Sequence, residues 1–528
     1  MAKNEGKVKE YKIGLISLTC IGVGTMIGSG WLFSSYYAAQ IAGAHAYYSW
    51  IITAIIILIL GLCLAEIATV YPKRGLMARL LVISHNKEFG IICAIATWLG
   101  LTAVVATEAE GSVQYISSLS PALGEHIFNT QIHELTGWGL LIAIGFILCY
   151  GLINYWGIKI LSHSNVILTT WKIIIPIITA VTIMFAAFYS GNFSGVHETT
   201  SGTSGVTEIF IAMIGAGMIY SFNGFQNIVS FSSEAKNPRR NIPLAMIFAV
   251  ILTLFIYLLL QTAFIGSITP SSLSKGWSGL NFTSPFVQIT AMLNLNLIMI
   301  VLYADSVISP AGTGLLYAGS TTRLVTAMAQ DGQMPKFFDH YCRFNFSRRS
   351  LYLIMILAIM FLLLFRSWTA LVEFLSLFYV ISYMSIPLAL SKLHSKNIKG
   401  YFRFPIPKII LPLIFIFLSY LFTCSKFPYT AYVSLFMILA YCVFLASQLR
   451  SGAKMGFTIK NSCLMIIYLI VLSFISFIGP KIYDGMGYVS TPIFFLLLII
   501  ASLTVFYTST YYFNNDPEAP AEEVISTD

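Results

Sequence analysis

Long apolar segments recur along nearly the whole of this 528-residue chain. A helix needs about 20 consecutive apolar residues to cross a bilayer, and most of the segments have about that length. Only 10% of the residues are charged, whereas about 25% of the residues of an average soluble protein are charged. No polar stretch between the segments is long enough to build a separate core. We therefore predict an all-α polytopic membrane protein.

The apolar segments divide into about 14 predicted transmembrane spans. These cover residues 13–37, 47–70, 91–117, 137–157, 165–188, 207–231, 243–265, 286–320, 351–365, 370–391, 409–423, 429–449, 462–478 and 491–512. Most basic residues lie in alternate loops, and the positive-inside rule assigns such loops to the cytoplasm. The net charge of +9 therefore indicates membrane orientation and not nucleic-acid binding. We predict a multi-pass protein of the cell inner (plasma) membrane with both termini cytoplasmic: a basic segment, 1–12, and an acidic, disordered tail, 513–528.

The first span is interrupted near its middle by residues 24–33, Gly-Thr-Met-Ile-Gly-Ser-Gly-Trp-Leu-Phe. Each glycine costs a helix interior about 1 kcal/mol relative to alanine. Backbone groups freed by unwinding must then find partners in the protein or at a water-filled cavity. A purely structural alternative is close helix packing, because Gly24 and Gly28 form a small-xxx-small pair.

A second interruption, residues 215–225, breaks the sixth span five spans later: Gly-Ala-Gly-Met-Ile-Tyr-Ser-Phe-Asn-Gly-Phe. With five spans per repeat, the second copy must be inverted in the membrane, and paired broken helices in inverted repeats indicate a transporter binding site. We predict a five-plus-five core with repeats at 13–188 and 207–391, then two spans at 409–449 and two extra spans at 462–512. Half-helix N-termini attract a carboxylate and free carbonyls attract an ammonium, so the site suits a zwitterion.

Four segments carry further information: Gly-Ser-Gly at 28–30, Phe-Asn-Gly-Phe at 222–225, and the loops at 234–243 and 320–335. In this order and spacing they resemble motifs of the amino acid–polyamine–organocation (APC) superfamily of secondary transporters, over residues 13 to about 450. Ile-Gly-Ser-Gly-Trp-Leu-Phe and the two extra C-terminal spans are similar to its aspartate–proton symporter-like members. Gln226 departs from the pattern, since many relatives carry a glutamate there.

The resemblance implies the substrate-binding residues. Backbone amides of Gly28, Ser29 and Gly30 would bind the substrate carboxylate. Carbonyls near Met26 and at Ser221, Phe222 and Asn223 would accept from the α-ammonium, and Tyr220 would be an aromatic outer gate. The Asn223 side chain could contact substrate or cap the broken helix.

Lys172 is the most informative ionisable residue, because a lysine at mid-bilayer costs about 2.5–3.5 kcal/mol. Burial favours its neutral form, which suits a group that gains and loses a proton; the alternative is snorkelling to the cytoplasmic surface. Proton-coupled members of the superfamily carry a lysine at the matching place. Asp305, Ser309 and Thr313 share one helix face, so Ser309 and Thr313 could face Lys172. Asp305 could pair with Lys172, contact substrate or form a structural hydrogen bond.

Other acidic residues are weaker candidates. Glu108 and Glu110 point to different faces of the third span, so at most one lines a pocket. We favour Glu110, because Gly111 beside it allows close approach. Glu66 and Glu373 lie near span ends and are expected to form interfacial pairs.

These observations favour a secondary active transporter that moves a small amino acid, coupled to protons, by alternating access. An amino acid/amine exchanger (antiporter) of the same fold is the main alternative, followed by a channel or a substrate sensor. The sequence shows no nucleotide-binding loop, metal-ligand cluster or nucleophile–base pair, so we predict no enzyme activity, cofactor or metal. The expected partners are a small amino acid, protons and the lipid bilayer, with no nucleic acid. A homo-oligomer is left open.

Overall fold

A computed structural model describes residues 12–72, 75–156, 160–194, 199, 205–340, 342, 347–398, 400, 402–425, 427–450, 452 and 455–513. The predicted basic segment and the acidic tail lie almost wholly outside these residues. Within them, eleven helical segments are long and apolar enough to cross a membrane, and two shorter apolar helices accompany them. The protein is therefore an all-α polytopic membrane protein.

The elements follow one another along the chain with short connections. They are α1 (Leu15–Met26), α2 (Gly30–Ala42), α3 (Ala46–Val70), α4 (Leu76–Ser84), α5 (Lys87–Ile116), α6 (Pro121–Ile127), β1 (Phe128–Asn129), β2 (Glu134–Leu135), α7 (Gly137–Tyr155), α8 (Ile160–Ala186), α9 (Val206–Gly215), α10 (Met218–Ser221), α11 (Asn227–Ser230), α12 (Pro238–Ser267), α13 (Pro285–Met292), α14 (Asn296–Gln330), α15 (Arg348–Leu364), α16 (Trp368–Ser395), α17 (Pro407–Cys424), α18 (Tyr429–Arg450), α19 (Met455–Ile478) and α20 (Thr491–Tyr507). The two strands pair antiparallel, and a π-helical turn, Thr508–Tyr512, continues α20.

The first predicted span is broken where its glycines cluster. Helix α1 ends at Met26, and Ile27 has an extended backbone before α2 begins at Gly30. The sixth span is broken into α9, α10 and α11, with Gly217 and Gly224 at φ values of 71° and 120°. A Cβ on Gly224 would lie 2.7 Å from the backbone carbonyl oxygen of Thr25. Only glycine therefore lets the two breaks approach so closely.

The eighth predicted span, 286–320, differs from the structure. It is divided into α13 and α14, because Asn294 between them adopts a left-handed backbone with φ of 56°. Helix α14 then continues to Gln330, ten residues beyond the predicted end. A single left-handed residue leaves the hydropathy of its surroundings unchanged, so the apolar run gave no sign of this break.

Helices α5 and α16 form the interior of the bundle. Both are almost entirely buried, they pack against each other, and α5 also packs along α14. Helices α1, α8 and α12 contact one another, while α2 packs against α9. The broken segments are thus held between long continuous helices.

The final helix is fastened to the end of α16. The Lys392 amino group donates to the carbonyls of Thr510, at 3.1 Å, and Phe513. The imidazole Nε2 of His85, after α4, lies 3.2 Å from the Ser509 carbonyl. The Phe513 ring packs on Phe89, with centroids 4.7 Å apart.

Candidate substrate-binding site

The two helix breaks meet at one small, partly open cavity with about 180 Å³ of empty space. It is lined by Thr25, Met26, Gly28, Val104, Glu108, Tyr220, Asn223, Thr313 and Tyr317. Of the residues predicted to bind substrate, Met26, Gly28, Tyr220 and Asn223 are therefore on the cavity wall.

A carboxylate lies at the amide end of the break in the first span. The Ser29 N–H donates to Glu108 Oε2 at 2.8 Å, and the Tyr220 hydroxyl donates to Oε1 at 2.6 Å. A Cβ on Gly28 would lie only 2.3 Å from Glu108 Oε1. The Ser29 hydroxyl in turn lies 2.9 Å from the Tyr220 hydroxyl and accepts from Trp368 Nε1 at 3.1 Å. The amide of the residue that precedes α2 therefore already donates to a carboxyl group.

Helix α12 contributes a hydroxyl that connects the carbonyls of the two breaks. Tyr257 Oη lies 2.7 Å from the Ser221 carbonyl and 3.2 Å from the Met26 carbonyl, so its proton can be donated to either. Thr25 Oγ1 adds a contact of 3.1 Å to the Gly224 carbonyl. The Met26 and Ser221 carbonyls, two of those expected to accept from an ammonium, thus lie together, and Tyr257 was not foreseen.

The Asn223 side chain is engaged by protein groups. Its amide nitrogen donates to the hydroxyls of Tyr317, at 2.8 Å, and Tyr379, at 2.6 Å. Its oxygen accepts from Gln226 Nε2 at 2.7 Å and from the Tyr383 hydroxyl at 3.2 Å. Both ends of the amide are therefore satisfied, and Asn223 orders the tyrosines at the edge of the cavity.

Lys172 is buried and touches the first break. Its amino group donates to Thr313 Oγ1 at 2.6 Å and to the Gly24 carbonyl, in the last turn of α1, at 3.2 Å. The structure therefore does not favour snorkelling. Ser309 was also predicted to face Lys172, but its buried hydroxyl has no hydrogen-bond partner in the described part of the chain. It lies one turn from Thr313 and receives no hydrogen bond from Lys172 among the described residues.

Asp305 accepts a hydrogen bond of 2.6 Å from Trp171 Nε1. Trp171 is the residue immediately before Lys172. Of the three roles considered for it, the geometry supports the structural hydrogen bond. It does not line the cavity.

Glu108 and Glu110, near the C-terminal end of α5, exchange the roles expected of them. Glu108, not Glu110, lines the cavity. Glu110 is fully buried near Tyr37 and the backbone of Trp368, and neither of its oxygens has a hydrogen-bond partner of good geometry among the described residues. The preference for Glu110 is therefore wrong. The rotation of α5 about its axis places Glu108 at the cavity, and Gly111 does not determine that rotation. Glu66, by contrast, is paired with His394 at 2.6 Å.

Comparison with known proteins identifies the family of this chain. Residues 13–439 match the family described as amino acid permease. The glutamate/serine transporter AimA of Bacillus subtilis is 34% identical over 94% of this chain and 92% of its own length. The aspartate-proton symporter of Bacillus subtilis is 31% identical over 95% of this chain and 96% of its own.

A crystal structure of the Eremococcus coleocola manganese transporter, in complex with an aromatic bis-isothiourea substituted compound, shares the fold. Its TM-score is 0.54 with 11% identity, covering 88% of this chain and 95% of that chain, so the likeness concerns the fold alone. The sequence relatives carry the names of transporters and permeases, which points to transport and not to an enzyme reaction. The chain belongs to the amino acid permease family, within the APC superfamily of transporters.

Proposed function

We propose that this permease is a secondary active transporter that moves a small amino acid together with protons by alternating access. In this proposal α1–α8 and α9–α16 are two inverted repeats of five spans each, and four further spans follow, about 14 in all. The protein lies in the cell membrane with both termini in the cytoplasm. The cavity between the two breaks is the midplane substrate site.

The observation that carries the proposal is the Ser29 amide bound to a carboxylate oxygen at 2.8 Å. It supports the idea that this helix terminus accepts carboxylates, as the positive end of a helix dipole should. The carbonyls of Met26 and Ser221, which contact Tyr257, supply the opposite polarity nearby. An α-amino acid has both charges at adjacent positions, so one molecule can use both sets of groups.

The lining of the cavity favours a substrate with a neutral side chain. Its empty space is about 180 Å³, and none of the described residues that line it is a lysine or an arginine. The names of two relatives mention glutamate, serine and aspartate. We therefore take serine first, with aspartate and glutamate as the acidic comparison.

Lys172 is the proposed coupling group. When it is protonated, its three N–H groups can hold the Gly24 carbonyl and Thr313 Oγ1 together, which joins α1 to α14. Loss of the proton weakens both charge-assisted bonds and loosens that contact. Proton binding and substrate binding then favour the same state, and each strengthens the other.

The test is uptake of labelled L-serine, L-aspartate and L-glutamate into proteoliposomes with an imposed pH gradient. We expect accumulation of at least one of them that needs no sodium. Lys172→Ala should lose gradient-driven accumulation and keep counterflow, while Lys275→Ala, which removes an exposed lysine, should behave like the wild type. Sodium-dependent uptake, or full accumulation by Lys172→Ala, would contradict the coupling. Uptake only into vesicles preloaded with an amino acid or amine would indicate the exchanger.

A further inference from the structure

Glu108 holds a position that the substrate carboxylate also needs. Its Oε2 accepts from the Ser29 amide at 2.8 Å, and its Oε1 lies 2.3 Å from where a Gly28 Cβ would be. The carboxylate therefore lies directly against the backbone of the break. Ser29 precedes the first residue of α2, so its amide is among the donors that the helix cannot satisfy. Glu108 thus accepts the hydrogen bond from the Ser29 amide that the proposed function assigns to the substrate carboxylate.

We propose that the Glu108 carboxylate is an internal stand-in for the carboxylate of the amino acid. It holds the Ser29 amide until a substrate takes its place. This inference rests on the proposed function and deepens it, because it names the event that must precede binding.

Two ionised carboxylates cannot both bind the Ser29 amide without a large cost, because like charges so close together disfavour ionisation of both. Glu108 must release the amide before an amino acid can take it. A proton on Glu108 achieves this, because a neutral carboxyl accepts a hydrogen bond less strongly than a carboxylate does. The negative charge lost from Glu108 is then replaced by that of the bound substrate. One proton is therefore taken up with each amino acid. This proton neutralises Glu108, so the net charge of the site stays the same when the substrate carboxylate binds.

Several titratable groups face Glu108 from the surrounding helices. They are Tyr150 on α7, Lys172 on α8, Tyr220 on α10, Tyr257 on α12, Tyr317 on α14 and Tyr379 on α16. Lys172 is the cation in this set, and its amino group donates to Thr313 and Gly24. Glu108 therefore responds to the substrate carboxylate, while Lys172 responds to the position of α1.

The first test compares binding of labelled L-serine to full-length protein near pH 6 and near pH 8. For the wild type we expect affinity to fall with rising pH, by up to about tenfold per unit. Glu108→Gln should bind about fivefold more tightly than the wild type at the higher pH, since a neutral amide competes less well. The pH dependence of its affinity should be weaker than that of the wild type, because Lys172 is then the one remaining proposed proton acceptor. The matched control Glu373→Gln removes a carboxylate that accepts from Ser425 instead and should follow the wild type.

Weaker binding by Glu108→Gln at both pH values would overturn the proposal, because Glu108 would then be a direct ligand of the substrate. An unchanged pH dependence in Glu108→Gln would also overturn it.

A second test does not depend on transport or on serine. In Glu108→Ala the side chain is shortened and the Ser29 amide is open to an added carboxylate. Sodium acetate should raise the unfolding temperature of Glu108→Ala in a concentration-dependent manner. It should not do so in the wild type, and ethylammonium chloride should have no such effect on either protein. No response of Glu108→Ala to acetate would refute the stand-in role. Failure of the wild type to bind or transport any amino acid tested would refute the proposed function alone.

Discussion

Replacing Gly30 with alanine should force the two helix breaks apart. A Cβ at Gly30 would lie 2.5 Å from Ser221 Oγ and 3.2 Å from its Cβ. The Ser221 hydroxyl cannot easily move, because it is held by Ser34 Oγ at 3.0 Å and donates to the Gly217 carbonyl at 2.8 Å. Alanine is otherwise favoured over glycine in a helix by about 1 kcal/mol. Any loss must therefore come from the new contact.

Inserting an extra methyl into a well-packed interior costs about 1–3 kcal/mol. If that cost falls on the conformation with both breaks closed around the substrate, affinity should weaken by about 5- to 150-fold. The assay is equilibrium binding of labelled L-serine, with thermal unfolding measured on the same protein.

Two further variants make this result specific. Gly145→Ala places the same methyl on α7 where no heavy atom lies within 4 Å, so it should leave binding unchanged. Adding Ser221→Ala to Gly30→Ala removes the 2.5 Å contact and should recover most of the lost affinity. The reasoning is refuted if Gly30→Ala binds like the wild type. It is equally refuted if the double variant is no better than the single one.

Three other predictions follow from the same structure. Gly28→Val should abolish uptake while membrane insertion stays normal, because its Cβ would collide with Glu108 Oε1 at 2.3 Å; normal uptake would exclude this break from the site. Ethanolamine should compete with labelled L-serine far more weakly than serine does, since it lacks the carboxylate, and equal competition would remove the Ser29 amide from recognition. Burial, aided by Lys392, lowers the pKa of His85, in the turn between α4 and α5, to about 3. Because the unfolded chain takes up this proton near pH 6.5, the free energy of unfolding should fall by up to ~1.4 kcal/mol per unit as pH drops from about 6.5 towards 3. His85→Gln should reduce that slope in thermal unfolding measured across this range, and an identical slope would contradict the assignment.

Much of the helix pattern could be predicted from the sequence, because two strong physical constraints act locally. Bilayer thickness sets the length of the apolar runs, and the helix cost of glycine marked both breaks. The superfamily resemblance was confirmed by the relatives. The helix break at Asn294 was not predicted, because one left-handed residue changes the backbone direction without changing the hydropathy.

The site was predicted less completely, for a reason that concerns helix rotation. Helix α5 is buried on nearly all sides, so its own sequence cannot indicate whether Glu108 or Glu110 faces the break. Packing against α14 and α16 decides that question. Tyr257 was missed for a similar reason, since a tyrosine in an apolar span indicates neither its direction nor its partner. Lys172 and Thr313 were easier, because a buried lysine needs nearby acceptors.

The fastening of the last helix has a practical consequence for expression and labelling. Lys392 is buried, and two of its acceptors are the carbonyls of Thr510 and Phe513. A truncation before Phe513 would remove one or both acceptors and strip the ring that covers Phe89. Affinity tags, fluorescent fusions and nanobody epitopes should therefore begin after residue 513, where they leave the end of α16 undisturbed.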